Sequence, residues 1–220
     1  QNCPKAVEID GQDVFIRPFP KQWTGDHGFE FEGGQHKTTE CFVYFYTGTG
    51  SSQAVMTGLN SPLFARCSPA HYSDTFAFEH LGQYNTAGYP LLEAYNARHV
   101  TTESQAPLSK WEQYDEYGWE DFGDLVADHE MGVLASPWNS IGINHYGTEY
   151  FATEGYALQF ARRSDLRYLD MAIPLARHAI DIHIYHTDQA QEPSYAGGYF
   201  AHTTHDMPAL RARHRVYPGE

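Results

Sequence analysis

Histidine and tyrosine dominate the side chains able to do chemistry. The chain carries 13 His and 16 Tyr against only 14 Lys and Arg together, and both types hydrogen-bond, stack and move protons. Two stretches gather them with carboxylates, residues 144–150 and 199–206, and a third, 119–124, sets Trp119 and Phe122 among acids. Proton abstraction with expulsion of a leaving oxygen needs a base, a proton donor and a group that neutralises the developing charge. His145 or His202 is expected as the base, because an unperturbed imidazole titrates near ~6.5. Tyr146 or Tyr150 is expected to donate the proton. Trp119 and Tyr199 offer rings on which a sugar can stack, and Asp124, Glu149, His205 and Asp206 offer hydrogen bonds to hydroxyls.

Two other chemistries use overlapping residues. Glycoside hydrolysis requires two carboxyls about 5–5.5 Å or 6.5–9.5 Å apart, for which Asp124, Glu149 and Asp206 are the available set. Metal binding would draw on His202, His205 and Asp206, or on His183, His186 and Asp188. The expected reaction requires no cofactor and no metal ligands are assigned to it; calcium in the acidic loops is the ion carried forward. His178 and His214 read as surface or core histidines. No Gly-rich phosphate loop and no Gly-x-Ser-x-Gly elbow occurs.

The elements that must position these residues change character along the chain. Residues 1–58 read as the end of a β-rich domain, from Val14-Phe15-Ile16 and the run Cys41-Phe42-Val43-Tyr44-Phe45-Tyr46. Residues 59–110 read as an irregular linker, with short helices expected at 68–72 and 91–98. Between Glu103 and Glu130 stand nine carboxylates and one lysine, a solvated face whose interior at 117–124 interleaves rings, glycines and acids. Residues 111–220 read as the start of a further, helix-bearing domain, with the helical signal clearest from Thr148 to His183. One stripe passes through Tyr150, Glu154, Ala157, Leu158 and Ala161, and a second through Leu169, Ala172, Ile173, Ala176, Ala179, Ile180 and His183. The joint is expected at 163–165, where Arg162 and Arg163 end one helix and Ser164-Asp165 offers the next an N-cap. Pro174 should kink the second helix. Of the three cysteines, Cys41 and Cys67 could pair, leaving Cys3 odd.

Phe19-Pro20-Lys21, Gly33-Gly34-Gln35-His36-Lys37-Thr38, Glu116-Tyr117-Gly118-Trp119, Phe122-Gly123-Asp124 and the run from Ile180 through His183 and His186 to Asp188 resemble bacterial proteins related to exo-rhamnogalacturonan lyases. The resemblance runs in order along nearly the whole chain. It implies an α+β architecture: the tail of a β-sandwich or other β-rich domain, followed by the first helical hairpins of an α/α toroid. It also implies that the chain is an internal portion of a longer protein, whose remainder, or other copies, completes the core. A departure falls at Gly147-Thr148-Glu149-Tyr150-Phe151, where many relatives carry an Asn-Asn-(Glu/Gln)-Tyr-Asp type sequence.

The resulting expectation is a polysaccharide-lyase-like protein that acts by β-elimination on an extracellular or cell-wall glycan. A non-catalytic glycan-binding or assembly-forming protein is the alternative, and a glycoside hydrolase the second. A polysaccharide or oligosaccharide is the expected partner, and the expected location is outside the cell or at its surface, with the cytoplasm left open. The net charge of −14 disfavours nucleic acid as a partner. Membrane insertion is not expected, because no apolar run approaches ~18–20 residues.

Overall fold

A computed structural model of the chain describes residues 5–20, 36–48, 52–61, 63–103, 106–113, 117–118, 122–127, 144–145, 150–184, 186 and 196–198. Among the described residues lie two antiparallel strand pairs and six α-helices, a mixed α+β arrangement. Strands β1 (Ala6–Asp10) and β2 (Asp13–Arg17) form a hairpin with Val7 opposite Ile16 and Ile9 opposite Val14. Its two-residue turn begins at Gly11 with φ +61°, the sign that the tight hairpin turns require. Val7, Ile9 and Val14 are all exposed.

The β reading of residues 1–58 holds for this hairpin and fails at 41–47 and 53–58, while residues 21–35 lie outside the described residues. Residues 41–47 have no strand partner among the described residues, and Phe45 is 88% exposed. High β propensity here meets no ladder among the described residues, and propensity alone makes no strand. Gln53–Asn60 is a helix, α1, rather than part of the β region. Cys41 and Cys67 are both free and exposed, which removes the expected pairing.

Helices α2 (Pro69–Asp74) and α3 (Pro90–Arg98) occupy the two positions expected from sequence, each with proline in its first turn, where the missing N–H costs nothing. Helix α4 (Pro107–Gln113) buries Trp111. Short strands β3 (Val126–Ala127) and β4 (Asn144–His145) pair antiparallel, Val126 opposite His145. Helices α5 (Ala152–Arg163) and α6 (Leu166–His178) then pack as a hairpin.

The joint lies where the sequence puts it. Ser164 adopts φ +54° and its N–H bonds the Phe160 carbonyl at 2.7 Å, closing α5 in the left-handed manner usually left to glycine. The strain is held from outside, since Ser164 Oγ donates to the Cys67 carbonyl at 2.9 Å. Asp165 caps α6 by accepting from Arg167 N–H at 3.1 Å.

The buried faces differ from the expected stripes. Tyr156 and Ala161 are buried on α5, while Tyr150 and Glu154 are exposed. On α6 the buried side chains are Tyr168, Met171, Ala172, Leu175 and His178, with Ile173 and Ile180 exposed. Both candidate faces keep helical spacing; the one carrying the larger side chains removes more apolar surface from water and wins. That face joins Val100, Trp111 and Phe122 in the core.

At the α3 side of this core, Glu93 is 1% exposed. Arg162 and Arg163 each donate to one of its oxygens at 2.5 Å. The Asn85 N–H adds a bond at 3.2 Å, and the Arg163 guanidinium stacks 4.5 Å from the Tyr84 ring. Burial pushes the Glu93 carboxyl up, but the Asn85 N–H and the two guanidiniums outweigh it, leaving its pKa lowered.

Candidate metal centre

Three side chains from two distant segments meet inside the molecule: Asp124, His178 and His183, each 2% exposed or less. Their convergence begins at Gly123. This residue takes φ +104°, and a Cβ built on it would lie 2.3 Å from the Pro174 carbonyl and 3.0 Å from His178 Cβ. Only glycine lets the 122–124 backbone come this close to α6. Trp111 Nε1 donates to the Asp124 carbonyl at 2.7 Å, fixing the loop from the core side. The Leu125 N–H donates to Asp124 Oδ1 at 2.7 Å. The other oxygen, Oδ2, faces the two imidazoles.

The histidines come together because α6 does not end as an α-helix. It continues as a π-helical turn, Ala179–His183, in which hydrogen bonds run from i to i+5. That spacing sets residue 183 over residue 178. In α geometry five residues advance about 140° beyond a full turn, and the two rings would diverge. In the π turn His178 Nε2 and His183 Nε2 stand 2.7 Å apart. Asp124 Oδ2 lies 3.2 Å from the first and 3.5 Å from the second. This buried group can hold a metal ion.

Asp181, inside the same turn, is tied to the segment that follows residue 35. Thr38 donates from its N–H at 2.9 Å and from Oγ1 at 2.8 Å to the two Asp181 oxygens. His36 adds Nε2 at 3.0 Å and bonds its N–H to the Asp181 carbonyl at 3.1 Å. Lys37 Nζ stands 4.0 Å away. The His186 ring packs edge-on against His36, their centroids 3.8 Å apart, and bonds the Ile180 carbonyl.

Of the residues expected from sequence, Asp124 is here, but buried and facing imidazoles rather than lining a surface. Tyr150 is 65% exposed. His145 lies in β4, paired in register with Val126, two residues beyond Asp124. Trp119, Tyr146, Glu149, Tyr199, His202, His205 and Asp206 lie outside the described residues, as do His214 and Asp188. His183 does not join His186 in a common group; it faces His178, which sequence reading had set aside as a surface or core histidine. Their five-residue spacing matches no face of an α-helix, so helical periodicity gives no signal for the pair.

A separate cleft of about 380 Å³ opens between α3 and α5, lined by Asn96, His99, Gly155, Tyr156, Gln159 and Tyr168 among others. Burial pushes the Tyr156 hydroxyl's pKa up and holds His99 below its ordinary value. Among the described residues the cleft lining holds no carboxylate, and neither Asp124 nor Tyr150 belongs to it. Comparison of the chain with protein-family models, with curated proteins and with solved structures finds no match.

Proposed function

We propose that this chain carries the metal centre of a glycan-acting protein, with one divalent transition ion held by Asp124, His178 and His183. The observation behind this is the approach of two imidazole nitrogens and a carboxylate oxygen to 2.7, 3.2 and 3.5 Å of one another in the interior. Atoms so spaced could all reach one ion at about 2.1 Å, and Asp124, His178 and His183 would then hold it. Two imidazoles with one carboxylate suit zinc, iron or manganese; calcium prefers an all-oxygen shell. This donor set therefore favours a transition ion over the calcium expected from the acidic loops.

Metal analysis tests it directly. After chelation and dialysis the chain should take up one equivalent of Zn²⁺, whereas Asp124→Asn and the pair His178→Ala/His183→Ala should retain none. No uptake by the wild type, or equal uptake by the histidine variant, overturns the reading.

The glycan half of the proposal draws on the resemblance to exo-rhamnogalacturonan-lyase-like proteins, with the β-sandwich and α/α toroid that it implies. One feature favours it. His36, Lys37 and Thr38 contact Asp181, and Asp124 contacts His183, so three of the motifs behind the resemblance meet in one place. β-Elimination from an acidic polysaccharide, followed by the ultraviolet absorbance of an unsaturated uronate, is the assay. Retained glycan binding without that product would favour the non-catalytic alternative.

A further inference from the structure

We infer that Thr38 and Asp181 position the metal ligand His183, so that seating of residues 36–38 and occupancy of the metal centre are coupled. The inference rests on the metal reading above. A π turn is a rare local choice against the α-helix, and it persists where surrounding contacts hold it. Here the holding contacts are concentrated on one residue. Asp181 receives two hydrogen bonds from Thr38, His36 Nε2 approaches its carboxylate to 3.0 Å, and its carbonyl receives the His36 N–H.

Asp181 is 3% exposed and sits two positions before His183 within the turn. If Asp181 is released, the turn can rewind toward α geometry, and His183 swings away from His178 and Asp124. Hydrogen-bonded groups behind the ligands of a metal commonly set ligand orientation in this way, and losing one typically lowers affinity about 10–100-fold. Because the coupling is an equilibrium property it must act in both directions: an ion that fixes His183 also favours the register in which Asp181 meets Thr38.

Co²⁺ is the probe, because its visible absorption reports ligand number and geometry as well as affinity. Thr38→Val should weaken Co²⁺ binding by about 10-fold, the lower end for an outer contact, and should alter the band shape, while Thr38→Ser restores both. In the unmodified chain, saturation with Zn²⁺ should slow hydrogen exchange at the amides of His36 and Thr38, a readout that needs no variant. Wild-type binding of Co²⁺ with unchanged affinity and spectrum in a folded Thr38→Val protein overturns the positioning role alone, as does unchanged amide exchange on Zn²⁺ saturation. Failure of the wild type to bind either ion overturns this inference together with the metal reading.

Discussion

Glu93 and Asp124 are buried to the same degree, each 1% exposed, and each faces two nitrogen-bearing side chains. The partners make the two sites different. Around Glu93 the nitrogens belong to Arg162 and Arg163, which stay charged at any accessible pH and offer donors but no lone pair. Each carboxylate oxygen there is already matched by a guanidinium at 2.5 Å, so the group ties α3 to the end of α5. Around Asp124 the nitrogens belong to imidazoles, which when neutral carry a lone pair and accept a cation. Burial is common to both sites. What separates a tie from a candidate centre is whether the partner nitrogens can donate electrons.

The sharpest way to break this comparison is to remove each carboxylate in turn. Glu93→Ala strands two buried guanidiniums and is expected to lower folding stability by about 3–5 kcal/mol, as loss of one partner from a buried ion pair does. Asp124→Ala leaves two imidazoles that can remain neutral, so the metal-free protein should lose clearly less. Urea unfolding of both variants under chelating conditions measures the difference. Equal losses would mean that Asp124 too is chiefly a structural counter-charge.

Sequence reading recovered the parts of the fold that have local causes. The α5–α6 joint follows from Arg162, Arg163 and the Ser164-Asp165 pair, because caps and end charges act within a turn of where they stand; α2 and α3 lie within two residues of their expected spans. The buried face of α6 was misjudged, since two apolar faces share helical spacing and only the neighbours decide between them. The metal group was less legible still. It depends on a π turn that no periodicity announces and on Gly123 lying against Pro174, a contact between residues far apart in the chain. Asp124 is legible as a polar group, though for a surface role; His178 reads only as a surface or core histidine, because nothing local to it signals Asp124 or His183.

Gly123 allows an intermediate test of the same contrast. An alanine there would have to hold φ +104° and place its methyl 2.3 Å from the Pro174 carbonyl. Backbone strain of this kind costs about 1–3 kcal/mol, less than the loss expected at Glu93. The loop must also move off α6, carrying Asp124 Oδ2 away from the imidazoles. Gly123→Ala should therefore weaken Zn²⁺ binding while leaving the Glu93 cluster, tied by other segments, in place. Calorimetric titration beside thermal unfolding separates the two effects, and unaltered Zn²⁺ affinity would show that the loop does not set the ligand geometry.

The smallest expected effect is on pH dependence, and its sign differs from a simple count of charges. Burial raises the Glu93 carboxyl, yet the Asn85 N–H and the two guanidiniums lower it further, so the folded pKa lies below the unfolded one. The stability it contributes is fully present above the unfolded value of about 4.3 and is lost as pH falls through the folded value. His99 is lowered by burial, so its contribution is present above about 6.5 and declines as pH falls below that. Acidification should then weaken the fold in two stages, a shallow one below about pH 6.5 and a steeper one below about pH 4.3. His99→Gln should flatten only the first and Glu93→Gln only the second. Unfolding midpoints measured across pH 3–7, in the range where these groups titrate, decide the matter; a second stage that survives Glu93→Gln would place the acid-sensitive tie elsewhere in the molecule.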